Sequence, residues 1–151
     1  MWSINVLVSM SNSGGQNTSP IMFPTDEETL ELREYTLLSL NEERSRIGLS
    51  DLSLDSNVIA QRYAEELATT DAFKFNPELS SGMKENIIRR EVSTPFSAKG
   101  TIDQIVDAMM NDDAVNDWVN RDAILSKSYT KVSIGVAWNS DYLYLVMDYS
   151  R

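Results

Sequence analysis

The final stretch of the sequence, residues 131–150, reads KVSIGVAWNSDYLYLVMDYS. Two runs rich in β-branched and aromatic residues, Val132–Trp138 and Tyr142–Tyr149, flank Asn139-Ser140-Asp141. Such side chains favour strands, whereas Asn, Ser and Asp favour tight turns. The stretch therefore predicts a β-hairpin, and this hairpin decides the fold class.

Helical patterns precede the hairpin. The first begins at Thr25, which fits a capping box with Glu28, and it is expected to end near Gly48. A second helix takes Asp55 as its N-terminal cap. Its small apolar face is formed by Ala60, Ala64, Leu67 and Ala68. A short strand is expected around Asn86-Ile87-Ile88, between the second helix and the third.

The third helix is predicted to begin at Thr101, with Gln104 completing a capping box. Its apolar side chains follow helical spacing and are Ile102, Ile105, Val106, Met109 and Met110. After a break at Asp112-Asp113, Val115, Trp118 and Val119 resume helical spacing, and Ala123-Ile124-Leu125 is expected to close that segment. Helices that come first and a hairpin that comes last indicate an α+β fold rather than a repeated βαβ unit.

The composition limits the chemistry that this chain can perform. Its 151 residues fit one domain, and its net charge of −10 disfavours nucleic acid or an anionic lipid surface as the main partner. The sequence has no Cys and no His, which excludes disulfides, zinc–thiolate sites and catalysis by Cys or His. A metal site would be made of oxygen ligands, and a general base would be a carboxylate, Lys or Tyr.

Residues 1–24 are predicted to form a strand-like arm and a flexible linker ahead of a domain over residues 25–151. Met1–Met10 alternates apolar and polar side chains, and Ser11–Pro20 has the composition of a linker. The strand either joins the domain's own sheet or adds to the sheet of a partner, and a third interpretation is the remnant of an export signal. No apolar run reaches the length of a membrane-spanning helix. Asn17-Thr18-Ser19 fits a glycosylation sequon, which agrees with an extracellular location.

Several short motifs follow one another along the chain. In order, these are Asn41-Glu42-Glu43-Arg44 ahead of Gly48-Leu49, then Lys84-Glu85-Asn86-Ile87, Thr94-Pro95, Arg121 to Leu125, and Tyr129 to Val136. This order resembles the CAP superfamily of cysteine-rich secretory proteins, antigen 5 and pathogenesis-related 1 proteins. The resemblance covers residues 25–150. It implies an α-β-α sandwich around a small antiparallel sheet that ends in a β-hairpin.

The departures from this family concern its cavity, which usually presents two His and two acidic residues and can bind a divalent metal. Here Phe75 and Asn120 stand near the positions expected for the two His, while Glu85 matches the Glu of the family's G-E-N-I motif and Lys84 replaces its Gly. The resemblance implies a cleft lined by Glu85, Asn86, Phe75 and Asn120, with no catalytic residue, metal or cofactor. The alternative is that Glu85 and Asn86 bind loop amides and only hold the sheet in place.

These observations lead to one main hypothesis and two alternatives. The main hypothesis is a non-catalytic extracellular CAP-like domain that binds a lipid, a small hydrophobic molecule or a partner protein, with Trp138 and Tyr142 as candidate contact aromatics. The second is a structural subunit of a cell-surface or particle assembly, a homo-oligomer included, joined by strand addition through residues 1–10. The third is a hydrolase that uses carboxylates or a Ser–Lys pair. Asp112, Asp113 and Asp117 are interpreted as an acidic cluster at a helix end rather than a cation site.

Overall fold

The computed structural model of the protein describes residues 6–10 and 24–151. Helices and strands alternate irregularly along this part of the chain. In chain order they are β1 (Val6–Met10), α1 (Asp26–Arg46), β2 (Ser53–Leu54), α2 (Val58–Thr70), β3 (Lys84–Glu91), α3 (Ala98–Asn111), α4 (Val119–Ile124), β4 (Lys131–Trp138) and β5 (Tyr142–Ser150). The α+β class is confirmed.

The predicted hairpin is β4 and β5, and it forms the centre of a sheet with the strand order β1-β3-β5-β4-β2. At its turn Asn139 donates its backbone N–H to the Tyr142 carbonyl over 3.0 Å, and its side-chain oxygen accepts from the Asp141 N–H over 2.8 Å. β5 is antiparallel to both β3 and β4. The expectation of a purely antiparallel sheet is wrong at both edges, because β1 and β2 are parallel to their neighbours.

The sheet is covered by helices on both faces, as expected for an α-β-α sandwich. One face packs against α2, whose small residues allow a close approach. The side chains of this layer include Ala60, Ala64, Leu67, Ile87, Tyr144 and Val146. The other face packs against α1, α3 and α4 through a larger apolar cluster that includes Leu40, Ile88, Ile102, Ile105, Ile124, Leu145 and Met147.

The contact between α2 and β4 is closest at Gly135. A Cβ atom added there would lie 2.1 Å from the backbone oxygen of Ala60. Nonbonded atoms do not approach this closely, so only glycine allows the helix to lie this near to the strand. Gly135 therefore sets the distance between the sheet and the first turns of α2.

Helix α1 begins and ends as predicted. The Thr25 side chain accepts the Glu28 N–H and the Glu28 side chain accepts the Thr25 N–H, so the capping box is complete. The helix ends at Arg46, and Gly48 follows with a φ of +77°, a left-handed conformation that suits glycine. Arg44 in its last turn is buried and donates to the carbonyls of Ser50, Ile124, Ser126 and Tyr129.

The predicted starts of α2 and α3 are wrong, because residues other than the expected ones directly precede the first turn of each helix. Asp55 accepts the N–H of Ser56, and α2 begins after Asn57, whose side chain instead accepts the Ile134 N–H over 2.8 Å. α3 begins one turn before Thr101, because Ser97 caps it by accepting the Gly100 N–H over 3.0 Å. The side chain of Gln104 instead accepts from Arg90.

The helical segment predicted after the Asp112-Asp113 break is present from Val119 as α4, but its predicted continuity from Val115 is wrong. Asp117 and Trp118 adopt positive φ values of 54° and 61°, which ends the helical turn before α4. Val115 is 89% exposed, so it shares no buried face with its neighbours. A buried carboxylate, that of Asp113, fixes this break by accepting the backbone N–H groups that begin α4.

The N-terminal strand pattern lies partly within the described residues. Val6–Met10 pairs in parallel with β3, from Val6 opposite Asn86 to Met10 opposite Arg90. This part of the arm therefore adds to the chain's own sheet. Residues 1–5, the linker and the sequon at Asn17 lie outside the described residues, and the division of the chain at residues 24 and 25 stays a prediction.

Candidate functional site

A row of three polar side chains crosses the sheet beneath the start of α2. The register places Glu85 of β3 opposite Asp148 of β5, and Asp148 opposite Ser133 of β4. Side chains on neighbouring strands that are paired in this way point to the same face. All three therefore lie on the face that α2 covers, and the Ser133 hydroxyl donates to the Ser56 carbonyl just before that helix over 2.6 Å.

The two carboxyl groups of this row are almost completely buried. Glu85 is 0% exposed and Asp148 is 2% exposed. The pKa of Asp148 is raised to about 9. Burial is the larger cause, and the Glu85 carboxyl beside it is the smaller one. At neutral pH Asp148 therefore holds its proton. The Glu85 Oε1 atom also accepts the backbone N–H of Asn76 over 3.1 Å, which agrees with the interpretation that Glu85 binds a loop amide.

Asp148 lies at the inner end of a pocket of about 170 Å³. The pocket opens between the start of α2 and the segment of residues 78–83 that leads to β3. Its lining residues are Asp55, Ser56, Ile59, Ala60, Glu78, Leu79, Ser80, Met83, Ser133 and Asp148. The Oδ1 atom of Asp148 is buried and has no hydrogen-bond partner among the described residues. The pocket thus combines an apolar wall with an unsatisfied carboxyl oxygen.

A second, smaller pocket of about 110 Å³ adjoins the first along α2 and shares Ile59 and Glu78 with it. The exposed side chains of Arg62 and Glu78 form an ion pair of 3.1 Å at this boundary. Asn76 lines the second pocket, and the nitrogen of its side-chain amide has no partner among the described residues. The two pockets together follow the outer surface of α2.

Two of the four residues predicted to line one cleft lie on opposite faces of the sheet, and the cleft itself stays a prediction. Glu85 lies beside Asp148, but Asn86, the next residue of β3, points to the opposite face of the sheet. Phe75 is 40% exposed, and its neighbour Asn76 is the residue that contacts Glu85. Asn120 is buried at the start of α4, where its side chain donates to Asp113 over 2.9 Å. None of the four lines either pocket described above.

The candidate contact aromatics lie at the turn end of the central hairpin. Trp138 is partly buried and packs on Phe96, with 5.2 Å between the ring centroids. The ring of Tyr142 lies 4.3 Å from the Arg89 guanidinium, which also contacts Phe73. These packing contacts account for both residues within the fold, and a role in binding a partner stays a prediction.

The residues that the sequence interpretation missed are Asp148 and Ser133. A usable signal was present in β5, where residues 142–149 read YLYLVMDY and Asp148 is the single charged side chain. Burial of an acidic residue inside a strand costs free energy unless the residue is paired, and such residues often mark functional sites. The sequence alone does not reveal its partner Glu85, because the pairing of β3 with β5 depends on the fold.

A divalent metal, which the family resemblance implies for cavities that contain His, does not fit the residues present here. Both oxygens of Asp113 are already engaged by N–H groups of Asn116, Asn120 and Arg121. Within residues 24–151 no three acidic side chains lie close enough together to hold an ion. Over the same residues, no helix has the length and apolar character needed to cross a bilayer.

Comparison with solved structures shows the same architecture at low sequence identity. The CAP domain of Enterococcal PrgA matches 84% of this chain with a TM-score of 0.60 at 17% identity, and this chain covers 63% of that one. NaASP2, whose structure is described as containing Zn²⁺, matches 85% of this chain and is covered to 84%, with a TM-score of 0.65 at 15% identity. An outer surface protein from Borrelia burgdorferi matches 87% of this chain and is covered to 98%, with a TM-score of 0.61 at 12% identity.

Sequence comparison identifies the family of this chain, whereas the structural likenesses show only its fold. No curated protein matches the chain. The sequence model of the CAP family, described as the cysteine-rich secretory protein family, matches residues 37–149, which is well over half of the chain. The matched range contains Arg44, all of α2 and β3, and the central hairpin with Asp148. The chain therefore belongs to the CAP family of cysteine-rich secretory proteins.

Proposed function

We propose that this chain is an extracellular, non-catalytic binding domain whose pocket at Asp148 holds a small ligand with an apolar part. The observation that carries the proposal is the Asp148 Oδ1 atom, which is buried at the inner end of the pocket without a partner among the described residues. An unsatisfied buried polar atom costs about 1–3 kcal/mol. A ligand that donates a hydrogen bond to it would recover part of that free energy.

The apolar wall of the pocket supports a ligand with a hydrocarbon part. Ile59 is 42% exposed and is followed around the pocket by Leu79 and Met83. Pockets that combine apolar walls with a few polar groups at one end are typical of small-molecule sites. The volume of about 170 Å³ suits a small molecule or the end of a larger one.

A non-catalytic role is supported by the chemistry of the row beneath α2. The chain has no His or Cys, so a nucleophile would have to be activated by a carboxylate or an amine. Ser133 lies beside Asp148, but its hydroxyl donates its proton to the Ser56 carbonyl, which is not a base. Asp148 itself keeps its proton at neutral pH because its pKa is raised to about 9.

An extracellular location is supported by the family and by one structural neighbour. The family is described as secretory, and the matching Borrelia burgdorferi protein is described as an outer surface protein. Assembly through the N-terminal arm is less favoured, because Val6–Met10 already pairs with β3 of the same chain.

Titration with 1-butanol, followed by NMR of the ¹⁵N-labelled full-length protein, tests the proposed pocket. We expect saturable shifts of the Ile59, Leu79 and Met83 amides. Ser80→Trp should abolish them, because Ser80 lines the pocket and an indole would fill it. Ser81→Trp, at an exposed neighbouring position, is the matched control and should bind like the wild type. Absence of saturable shifts in the wild type, or equal shifts in Ser80→Trp, would contradict the proposal.

Addition of zinc separately tests the conclusion that a divalent metal does not fit the residues of this chain. Because no three acidic side chains lie close enough among residues 24–151, addition of ZnCl₂ should change the melting temperature by less than about 1 °C. Differential scanning calorimetry with and without EDTA measures this. A larger stabilisation that EDTA reverses would show that the chain retains a metal site.

A further inference from the structure

We propose that the pocket at Asp148 selects ligands that carry a primary ammonium group on a short apolar chain, as in an alkylamine or a lysine side chain. This inference rests on the proposed binding function and adds the chemical class of the ligand. It depends on the charge around the pocket, on the hydrogen bonds that its inner end can accept and on its size.

The charge of the lining side chains is negative. Asp55, Glu78 and Asp148 line the pocket, and no Lys or Arg belongs to its lining among the described residues. Glu78 is already paired with Arg62 at the exposed rim, and Asp148 is protonated, so the inner negative charge comes from the adjacent Glu85. A cation inside the pocket would be attracted by the Glu85 carboxylate and by Asp55 in the lining.

The start of α2 also borders the pocket and has the opposite electrostatic effect. A helix N-terminus carries about half of a positive elementary charge, which favours anions. The full charge of the Glu85 carboxylate is larger than this, and the Asp55 carboxylate adds to it just before the helix begins. The net field at the inner end therefore favours cations and disfavours carboxylate or phosphate ligands.

The hydrogen-bonding groups at the inner end are acceptors. The Asp148 Oδ1 atom has no donor among the described residues. The Ser133 hydroxyl uses its hydrogen on the Ser56 carbonyl, which leaves its oxygen able to accept. An ammonium group has three donors and no acceptor, so it complements these atoms. An alcohol has only one donor, so it satisfies fewer of the acceptor atoms at the inner end of the pocket.

The size of the pocket limits the hydrocarbon part. A volume of about 170 Å³ corresponds to roughly five or six water-sized groups. n-Butylammonium has a nitrogen and four carbons, and its chain would lie along Ile59, Leu79 and Met83 when the nitrogen meets Asp148. Butylammonium, 1-butanol and butyrate share one chain length and differ in the polar end, so they form a matched set of probes.

The experiment is an NMR titration of the full-length protein with these three probes at neutral pH. We expect n-butylammonium to bind at least about tenfold more tightly than 1-butanol, as charge-assisted hydrogen bonds are stronger than neutral ones. Butyrate should not bind. Equal affinity for butylammonium and 1-butanol would overturn the ammonium assignment and leave the proposed binding function intact. Binding of neither probe would overturn both.

Glu85→Gln isolates the charge beside the pocket, since Asp148 is already protonated and an amide of the same shape as Glu85 carries no charge. Affinity for butylammonium should fall by about tenfold, while affinity for 1-butanol should change by less than about twofold. Glu43→Gln on α1 removes a partly buried carboxylate that pairs with Arg46 outside the pocket lining, and it should leave both affinities unchanged. If Glu85→Gln retains the wild-type preference for butylammonium, the assignment is wrong.

A free amine and a protein lysine are two sources of the same group. Nα-acetyl-lysine N-methylamide presents the lysine side chain with its backbone blocked, and its Nε-acetylated form removes the charge. Binding of the lysine derivative that acetylation abolishes would identify a peptide or protein lysine as a ligand source. Binding of butylammonium alone would identify a free small amine, because the blocked backbone of the lysine derivative would then not fit at the mouth.

Discussion

Gly135→Ala is expected to lower the free energy of unfolding by about 3 kcal/mol, because overpacking a close contact between two backbones cannot be relieved by a rotamer change. The added Cβ would lie 2.1 Å from the Ala60 oxygen and 2.8 Å from the Gln61 nitrogen. Gln61 also bonds the Val136 backbone through its side chain, so movement of α2 would weaken those hydrogen bonds as well. Urea denaturation followed by circular dichroism measures the change.

Gly100→Ala is the matched control for this substitution. Gly100 lies in α3, where the nearest atom to an added Cβ is the Ser97 side-chain oxygen at 3.2 Å, and no backbone atom outside the helix lies within 4 Å. Alanine is favoured over glycine inside a helix by up to about 1 kcal/mol, so this variant should be as stable as the wild type or slightly more stable. Equal destabilisation by the two substitutions would show that Gly135 does not set the spacing between α2 and the sheet.

Asp148→Asn is expected to stabilise the protein by about 2 kcal/mol at pH 7. The pKa of Asp148 is raised to about 9 in the folded protein, so the folded state holds a proton that the unfolded chain releases above its ordinary value near 3.8. Stability from this group is therefore present at low pH and is lost as the pH rises from about 4 toward 9. Asparagine cannot ionise and removes this loss.

Urea unfolding at pH 5, 7 and 8.5 is the measurement for Asp148→Asn. The wild type should lose stability across this series relative to the variant, and the difference should be smallest at the lowest pH. Asp107→Asn, at an exposed position of α3, should follow the wild-type pH dependence and serves as the control. A variant that is less stable than the wild type at pH 7 would show that the Asp148 carboxyl contributes net stability to the fold.

The parts of the fold that the sequence predicts best are those with a repeated pattern. The hairpin, the small-residue face of α2 and the apolar face of α3 are confirmed, since each depends on several side chains with one spacing. The starts of α2 and α3 are wrong because a single capping residue decides each of them. Asn57, the residue before α2, uses its side chain on Ile134, a contact distant in sequence that no local pattern indicates.

The site is only partly predictable for a related reason. Glu85 can be identified from a sequence motif, but its partner Asp148 lies 63 positions later and meets it only through strand register. Asn86 is adjacent in sequence and points to the other face, because successive strand residues alternate. Phe75 and Asn76 illustrate the limit of matching by position, since a shift of one residue exchanges an exposed side chain for a buried one.

The parallel pairing of β1 with β3 also bears on self-association of the protein. β3 has eight residues, whereas the strand at the opposite edge, β2, has only two. Without Val6–Met10, the backbone N–H and C=O groups of β3 would form a long open edge, and such edges template intermolecular cross-β growth. β1 thus covers this edge, and its loss from β3 would expose an edge that favours intermolecular strand pairing.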